Sequence, residues 1–300
     1  MAATTLSPLM RAAGLSLVAA VFFTLETVFV KLLAGSVSIA MIMLVRSAGQ
    51  LLWVAPALAR RGTRLFRTNH PWLHLMRGFF SLACWVLYYW SFQRLDLATA
   101  TVLSFTSVMF VTALAGPILG EVVRWRRWTA TIVGFLGVVL VARPFGAGLD
   151  PAVFVGLASA LFGAGIVLTT KRLSTTEHTD TIMLYIGLVT FTGSLPTGIA
   201  HFTLPEAWQA LWLVLMAFIG PAGMQLWIGA FRLADATVIA PIGYTRLLFA
   251  TAAGALLFDE QPDGWTAAGA VLVVGSALYI TQREAVVARA RRQAGDPGQA

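Results

Sequence analysis

Charge is scarce in this chain. Asp, Glu, Lys and Arg make up 11% of its 300 residues, against about 25% in an ordinary soluble domain. With 58% hydrophobic residues and a mean hydropathy of +0.79, it holds more apolar side chains than a water-facing globule can hide. That excludes a soluble fold, and the chain is read as an all-α integral membrane protein. Cysteine is nearly absent too. Cys84 stands alone, so no intrachain disulfide can form and no Cys-x-x-Cys metal or redox motif exists; no cofactor or metal is expected. A G-x-x-x-x-G-K-[ST] loop is missing, which removes ATP hydrolysis as a driving force. The acid and histidine clusters of enzymes that work on lipids are missing as well, so the chain is not read as an enzyme. Acidic residues number 13 against 21 Lys and Arg, for a net charge of +8. The basic residues sit at the ends of apolar runs, where membrane topology puts them, so no nucleic-acid partner is expected.

What is present is a series of apolar runs, at 12–34, 38–58, 72–93, 97–118, 128–143, 152–171, 181–200, 207–230, 236–258 and 265–282. Each is read as a transmembrane helix, ten in all, followed by a disordered polar tail, ARARRQAGDPGQA. The first run carries Glu26 and Lys31 and is longer than a signal-peptide core, so it is read as a retained helix. If the N-terminus is cytoplasmic, the inside segments carry Arg11, Arg60, Arg61, Arg64, Arg67, Arg124, Arg126, Arg127, Lys171, Arg172, Arg232 and the basic tail. The outside ends then carry only Lys31, Arg94 and Arg143. This positive-inside bias places both termini in the cytoplasm, which in a bacterium makes the site the inner membrane.

An internal repeat organises these helices. Lys31, Leu33, Ile42, Met43, Leu44 and Pro56 recur 140 residues later as Lys171, Leu173, Ile182, Met183, Leu184 and Pro196. Further on, Arg94-Leu95 matches Arg232-Leu233, Glu121 matches Glu260, and Trp128-Thr129-Ala130 matches Trp265-Thr266-Ala267, the offset drifting to 137. The boundaries read are 1–146 and 147–283 for the two copies and 284–300 for the tail. Five helices per copy is an odd number, so the second copy enters the membrane upside down. Two inverted five-helix repeats around a central cavity are the architecture of many transporters.

The stretches RLDLATATVLSFTSVMFVTALAGPILGE with GFLGVVLVARP, and RLADATVIAPIGYTRLLFATAAGALLFDE with WTAAGAVLVVGSALYI, resemble the two EamA-type repeats of the drug/metabolite transporter superfamily. Within it the chain is similar to bacterial ten-helix exporters of amino acids, aromatic ones included, and related metabolites. The resemblance implies alternating access and a cavity lined by helices 1, 3, 4, 6, 8 and 9, with Glu121 and Glu260 as helix-end fold markers. Two departures stand out. The fourth helix lacks the proline that Pro241 keeps in the ninth. Phe23 occupies the place, eight residues before Lys31, where small multidrug relatives carry a carboxylate; Glu26 is about a turn away.

Several residues are candidates for the chemistry. Arg246 sits mid-membrane, close to Pro241, and has no charged repeat mate; a charge at that depth costs at least ~2.5–3.5 kcal/mol unless it faces a cavity or partner. It is read as attracting a substrate carboxylate, with Tyr244 and Thr245 beside it; a buried arginine satisfied by carbonyls is the alternative. Glu26 and Arg46 lie at matching depth, roughly 12 Å below the outer surface, and are read as an ion pair or an outer gate. Trp85, Tyr88, Tyr89 and Phe92 share one face of helix 3 and either wall the cavity or form a lipid-facing belt. Gly220-Pro221, with Gln225 and Trp227 beyond, is either a break opening onto the cavity or a kink. Arg77 is expected to snorkel to the inner surface, and His70 and His74 to anchor at the interface with no acid nearby. Gly134, Gly137, Gly269 and Gly275 let helices 5 and 10 pack closely. The function read from all this is secondary transport: export of amino acids and related small metabolites by a monomer or homodimer in the lipid bilayer. Export of drugs or lipophilic cations is the alternative.

Overall fold

The structure, a computed structural model, describes residues 8–119, 125–142, 150–174, 176–233 and 242–293. Among them the chain is helical and short-looped. In order come α1 (Pro8–Leu32), α2 (Ile39–Arg61), a 3-10 turn (Gly62–Phe66), α3 (Pro71–Phe92), α4 (Leu97–Phe105) and α5 (Ser107–Leu119). After these come α6 (Trp125–Ala142), α7 (Pro151–Leu173), α8 (Thr179–Ala200), α9 (Ala207–Leu233), α10 (Thr245–Phe258) and α11 (Gly264–Gln293). Among the described residues six runs are long and apolar enough to cross a membrane: Met10–Leu32, Ile39–Phe66, Leu97–Leu114, Pro151–Thr170, Thr179–Ala200 and Ala207–Ala230. Trp128–Val141, Thr245–Phe258 and Gly264–Tyr279 are shorter apolar helices. The polarity of the packing agrees with lipid as the outer solvent. Leu248, Leu256 and Val271 are more than two-thirds exposed, whereas Arg46, Arg77, His74 and Gln50 are fully buried.

Local chemistry starts and stops these helices. Ser38 caps α2 by accepting the Met41 N–H at 3.2 Å, and Asp150 caps α7 by accepting that of Ala152 at 2.8 Å. Pro71 and Pro151 occupy first-turn positions, where their missing N–H costs nothing. α10 ends at Asp259, in the left-handed conformation at φ 55°, and the Glu260 N–H turns back to the Gly254 carbonyl at 3.1 Å.

Three helices differ from their expected course. The fourth helix is broken at Thr106 without any proline. Thr101, Ser104 and Thr106 each turn their hydroxyls onto carbonyls three or four residues back, at 2.6–2.7 Å, and such back-bonding bends helices. In the second repeat the equivalent position, 138 residues on, is Tyr244, where α10 begins. The second is at Gly220-Pro221, where α9 runs unbroken, which removes the break and leaves the kink of the two readings. Pro221 leaves the Ala217 carbonyl without its helical donor, and that oxygen abuts Gly49 of α2, where a Cβ would stand 2.2 Å from it. The third is the tail, because α11 continues as helix to Gln293 through part of the stretch read as disordered.

The densest packing joins α3 to α7, α1 to α9, α6 to α11 and α2 to α8. Exchanging each span for its repeat mate turns α3–α7 into α9–α1 and α2–α9 into α8–α3, all of which are contacts that occur. Where α6 meets α11 the glycines do what the spacing suggests. A Cβ on Gly137 would lie 2.8 Å from the Gly269 carbonyl, and one on Gly269 would lie 2.6 Å from that of Gly137. Gly275 faces open space instead.

Candidate substrate cavity

A cavity of about 400 Å3 lies among α1, α3, the α4–α5 break, α7, α9 and the start of α10. One wall is charged and closed upon itself. Arg46 Nε donates to Glu26 Oε1 at 2.6 Å, and the Tyr89 hydroxyl donates to the same oxygen at 2.7 Å. The Arg46 guanidinium carbon also lies over Trp85, 3.4 Å from the ring centroid, a cation–π contact between buried groups. Glu26 and Arg46 thus lie as a buried pair on the cavity wall. Gly220 is what admits them: a Cβ there would come 2.3 Å from Glu26 Oε1. Gly220→Ala is therefore expected to lower stability by about 1–3 kcal/mol through overpacking, read as a lower thermal midpoint of the purified protein. An unchanged midpoint would show that the carboxylate moves aside at no cost.

The other wall is aromatic around a single cation. Arg246 lines the cavity with its guanidinium carbon 5.3 Å from the Tyr88 ring centroid and 5.9 Å from that of Phe23. Its Nε has no hydrogen-bond partner, and no carboxylate pairs with it among the described residues. The Tyr88 hydroxyl is also unpartnered. Tyr244 lines the cavity and meets Phe105 edge to face at 4.9 Å. Trp85, Tyr88, Tyr89 and Trp227 line it as well, so the aromatic face of α3 turns inward, and Phe92 is buried behind it. Gln225 is not part of the cavity: its Oε1 accepts the Trp53 indole N–H at 2.6 Å, one helical step off the lining face. Pro241 lies outside the described residues.

Sequence reasoning did not find some of the site. Cys84, Ser104, Phe105 and Ser159 line the cavity, Ser159 donating to the Cys84 carbonyl at 3.0 Å. Nor does Arg77 snorkel. It is fully buried between α3 and α7, with Nε on Thr170 Oγ1 at 2.6 Å and Nη1 on Ser81. His74 is buried too, stacked on Tyr185 at 4.4 Å and 3.9 Å from Glu177 Oε1, so an acid is near after all. One end of the bundle is closed by Glu260. Its Oε1 takes Lys31 Nζ, which also donates to the Leu95 carbonyl at 2.8 Å. Its Oε2 accepts the Leu97 N–H at 2.8 Å, capping α4 where Asp96 does not. One carboxylate thus ties α1, α4 and the turn after α10. Its repeat mate Glu121 lies outside the described residues.

The profile of the EamA-like transporter family matches the chain twice, over residues 10–143 and 150–282. The chain belongs to the EamA-like transporter family. Among its relatives, the S-adenosylmethionine uptake transporter of Rickettsia prowazekii is 29% identical over 232 residues, 76% of this chain and 78% of that protein. The pseudopaline exporter CntI of Pseudomonas aeruginosa is 28% identical over 271 residues, 89% of this chain and 95% of that one. A riboflavin transporter of Rhizobium johnstonii is 31% identical over 239 residues, 78% of each chain. A crystal structure of a protein 18% identical shares the fold, with a TM-score of 0.57 over 89% of this chain and 98% of the other. Membership of this family makes the protein a multi-pass membrane transporter of the drug/metabolite superfamily. The relatives named are transporters, not enzymes.

Proposed function

We propose that the protein is a secondary transporter that exports amino acids, aromatic ones among them, and related small metabolites by alternating access. The observation that carries this reading is Arg246: a cation on the cavity with which no carboxylate pairs among the described residues, framed by the rings of Tyr88 and Phe23. A substrate carboxylate supplies the missing charge, and the rings stack on a planar or apolar side chain. A lipophilic cation finds no such partner, because the Glu26 carboxylate is already engaged by Arg46 and Tyr89. Relatives that carry S-adenosylmethionine and pseudopaline are compatible with ligands of this kind. The repeat-exchanged helix contacts support two pseudo-symmetric halves; the odd helix count and the positive-inside bias make them inverted, with both termini in the cytoplasm and the Lys31–Glu260 tie at the outer mouth.

The test is a panel of labelled solutes in liposomes holding the purified protein, run with and without a pH gradient. Counterflow of phenylalanine or tryptophan is the expected result. No counterflow of any amino acid, with transport of drug cations, would overturn the reading. Because Cys84 lines the cavity and is the chain's single cysteine, a second measurement needs no mutation. Substrate at ten times its Kd is expected to slow maleimide labelling of Cys84 by roughly tenfold through mass action. An unaltered rate would place the substrate elsewhere.

A further inference from the structure

A second hollow, of about 640 Å3, opens between the end of α2, the 3-10 turn and the start of α8, away from the transport cavity. Arg60, Arg61 and Arg64 line one side, and His178 and Thr181 the other. Its shape is built by the backbone. Gly62 takes a positive φ of 57° that a side chain would strain, and its N–H closes α2 on the Leu58 carbonyl. The turn that follows is pinned by the buried Leu65, by the Tyr185 hydroxyl donating to the Phe66 carbonyl at 2.9 Å, and by the Arg67 N–H on the Arg64 carbonyl at 3.1 Å.

Charge in this hollow is unbalanced. Asp180 Oδ2 stands 3.5 Å from Arg61 Nη1, and among the described residues no carboxylate pairs with Arg60 or Arg64. Three guanidinium groups against one carboxylate leave two positive charges facing one space. Positive-inside topology accounts for arginines at this end of the bundle. It does not account for their gathering on a hollow shaped by a pinned turn. The guanidinium fork matches a phosphate group, to which it donates paired hydrogen bonds.

We propose that this hollow binds the phosphate headgroup of an anionic lipid such as phosphatidylglycerol. A lipid is favoured over a soluble phosphate because the same turn carries exposed Phe66, and Trp72 follows it at 71% exposure. Aromatic rings of this kind sit at the level of lipid headgroups. The inference does not depend on what the transport cavity carries.

The test titrates the full-length protein in detergent with dioleoylphosphatidylglycerol, dioleoylphosphatidylcholine or inorganic phosphate while following its thermal unfolding. Phosphatidylglycerol is expected to raise the midpoint by about 5 °C near a hundredfold excess over its Kd, and the other two probes are expected to leave it unchanged. An Arg60→Gln/Arg64→Gln variant is expected to lose that rise, while Arg67→Gln, just outside the hollow, keeps it. Native mass spectrometry of the wild-type protein is expected to show phosphatidylglycerol retained over phosphatidylcholine, independently of whether the double variant folds. An equal response to both lipids, or an undiminished response in the double variant, overturns the site. Equal stabilisation by inorganic phosphate overturns the lipid assignment and leaves a soluble phosphate as the ligand.

Discussion

Replacing Arg246 with glutamine is expected to weaken substrate binding roughly 10- to 100-fold, the worth of a hydrogen bond to a charged group. The size follows from the geometry. The guanidinium has no carboxylate partner among the described residues, so its loss strands no anion in the protein, and the whole cost falls on the ligand. Lysine at this position keeps the charge but not the planar fork, so Arg246→Lys should retain part of the affinity. Stability provides the control. A charge held deep in the membrane without a partner is costly to the fold, so Arg246→Gln should melt at or above the wild-type temperature. The measurement is the concentration dependence of counterflow in liposomes matched for protein content. Wild-type counterflow from the glutamine variant, or a lower melting point with unaltered affinity, would make Arg246 a structural residue.

Breaking the Glu26–Arg46 pair is the second large effect. The two groups are buried against each other, with Trp85 on one side and Gly220 on the other. Removing one partner leaves the other as an uncompensated buried charge, at a cost of about 3–5 kcal/mol. In a chain of this size that corresponds to a fall of about 10 °C in the thermal midpoint. Arg46→Ala and Glu26→Ala should each show it. The double variant Glu26→Gln/Arg46→Gln should recover more than half, since neither charge then remains. A double variant that melts as low as the singles would mean that each residue acts through separate contacts, and the ion pair would then not be what holds this wall.

How much of this was legible in the sequence depends on whether the signal was local. A charge inside an apolar run shows its depth by counting, which is how Arg246 and the matched Glu26 and Arg46 stood out. The direction a side chain faces is not local. Arg77 has a depth compatible with snorkelling, yet its partner Thr170 is 93 residues away. His74 likewise finds Glu177 on the other repeat. Gly220 reads as a kink, because its purpose is the carboxylate of another helix. Gln225 follows Gly220-Pro221 in sequence, but the unbroken α9 carries it off the lining face. Two features were legible and were outweighed. The hydroxyls at 101, 104 and 106 mark the α4–α5 break as a proline would have. The run ARARRQ is polar but made of strong helix formers, so propensity rather than polarity decided the end of α11.

The glycine contact between α6 and α11 constrains how such a protein can move. Each glycine leaves room for the other's carbonyl, and Val141, Leu272 and Val273 flank the contact closely. A seam of that kind resists shear and separation but allows one body to tilt about it. If the two halves swing to admit solute from alternate sides, that line is the fulcrum, and the widest travel falls on the helices farthest from it.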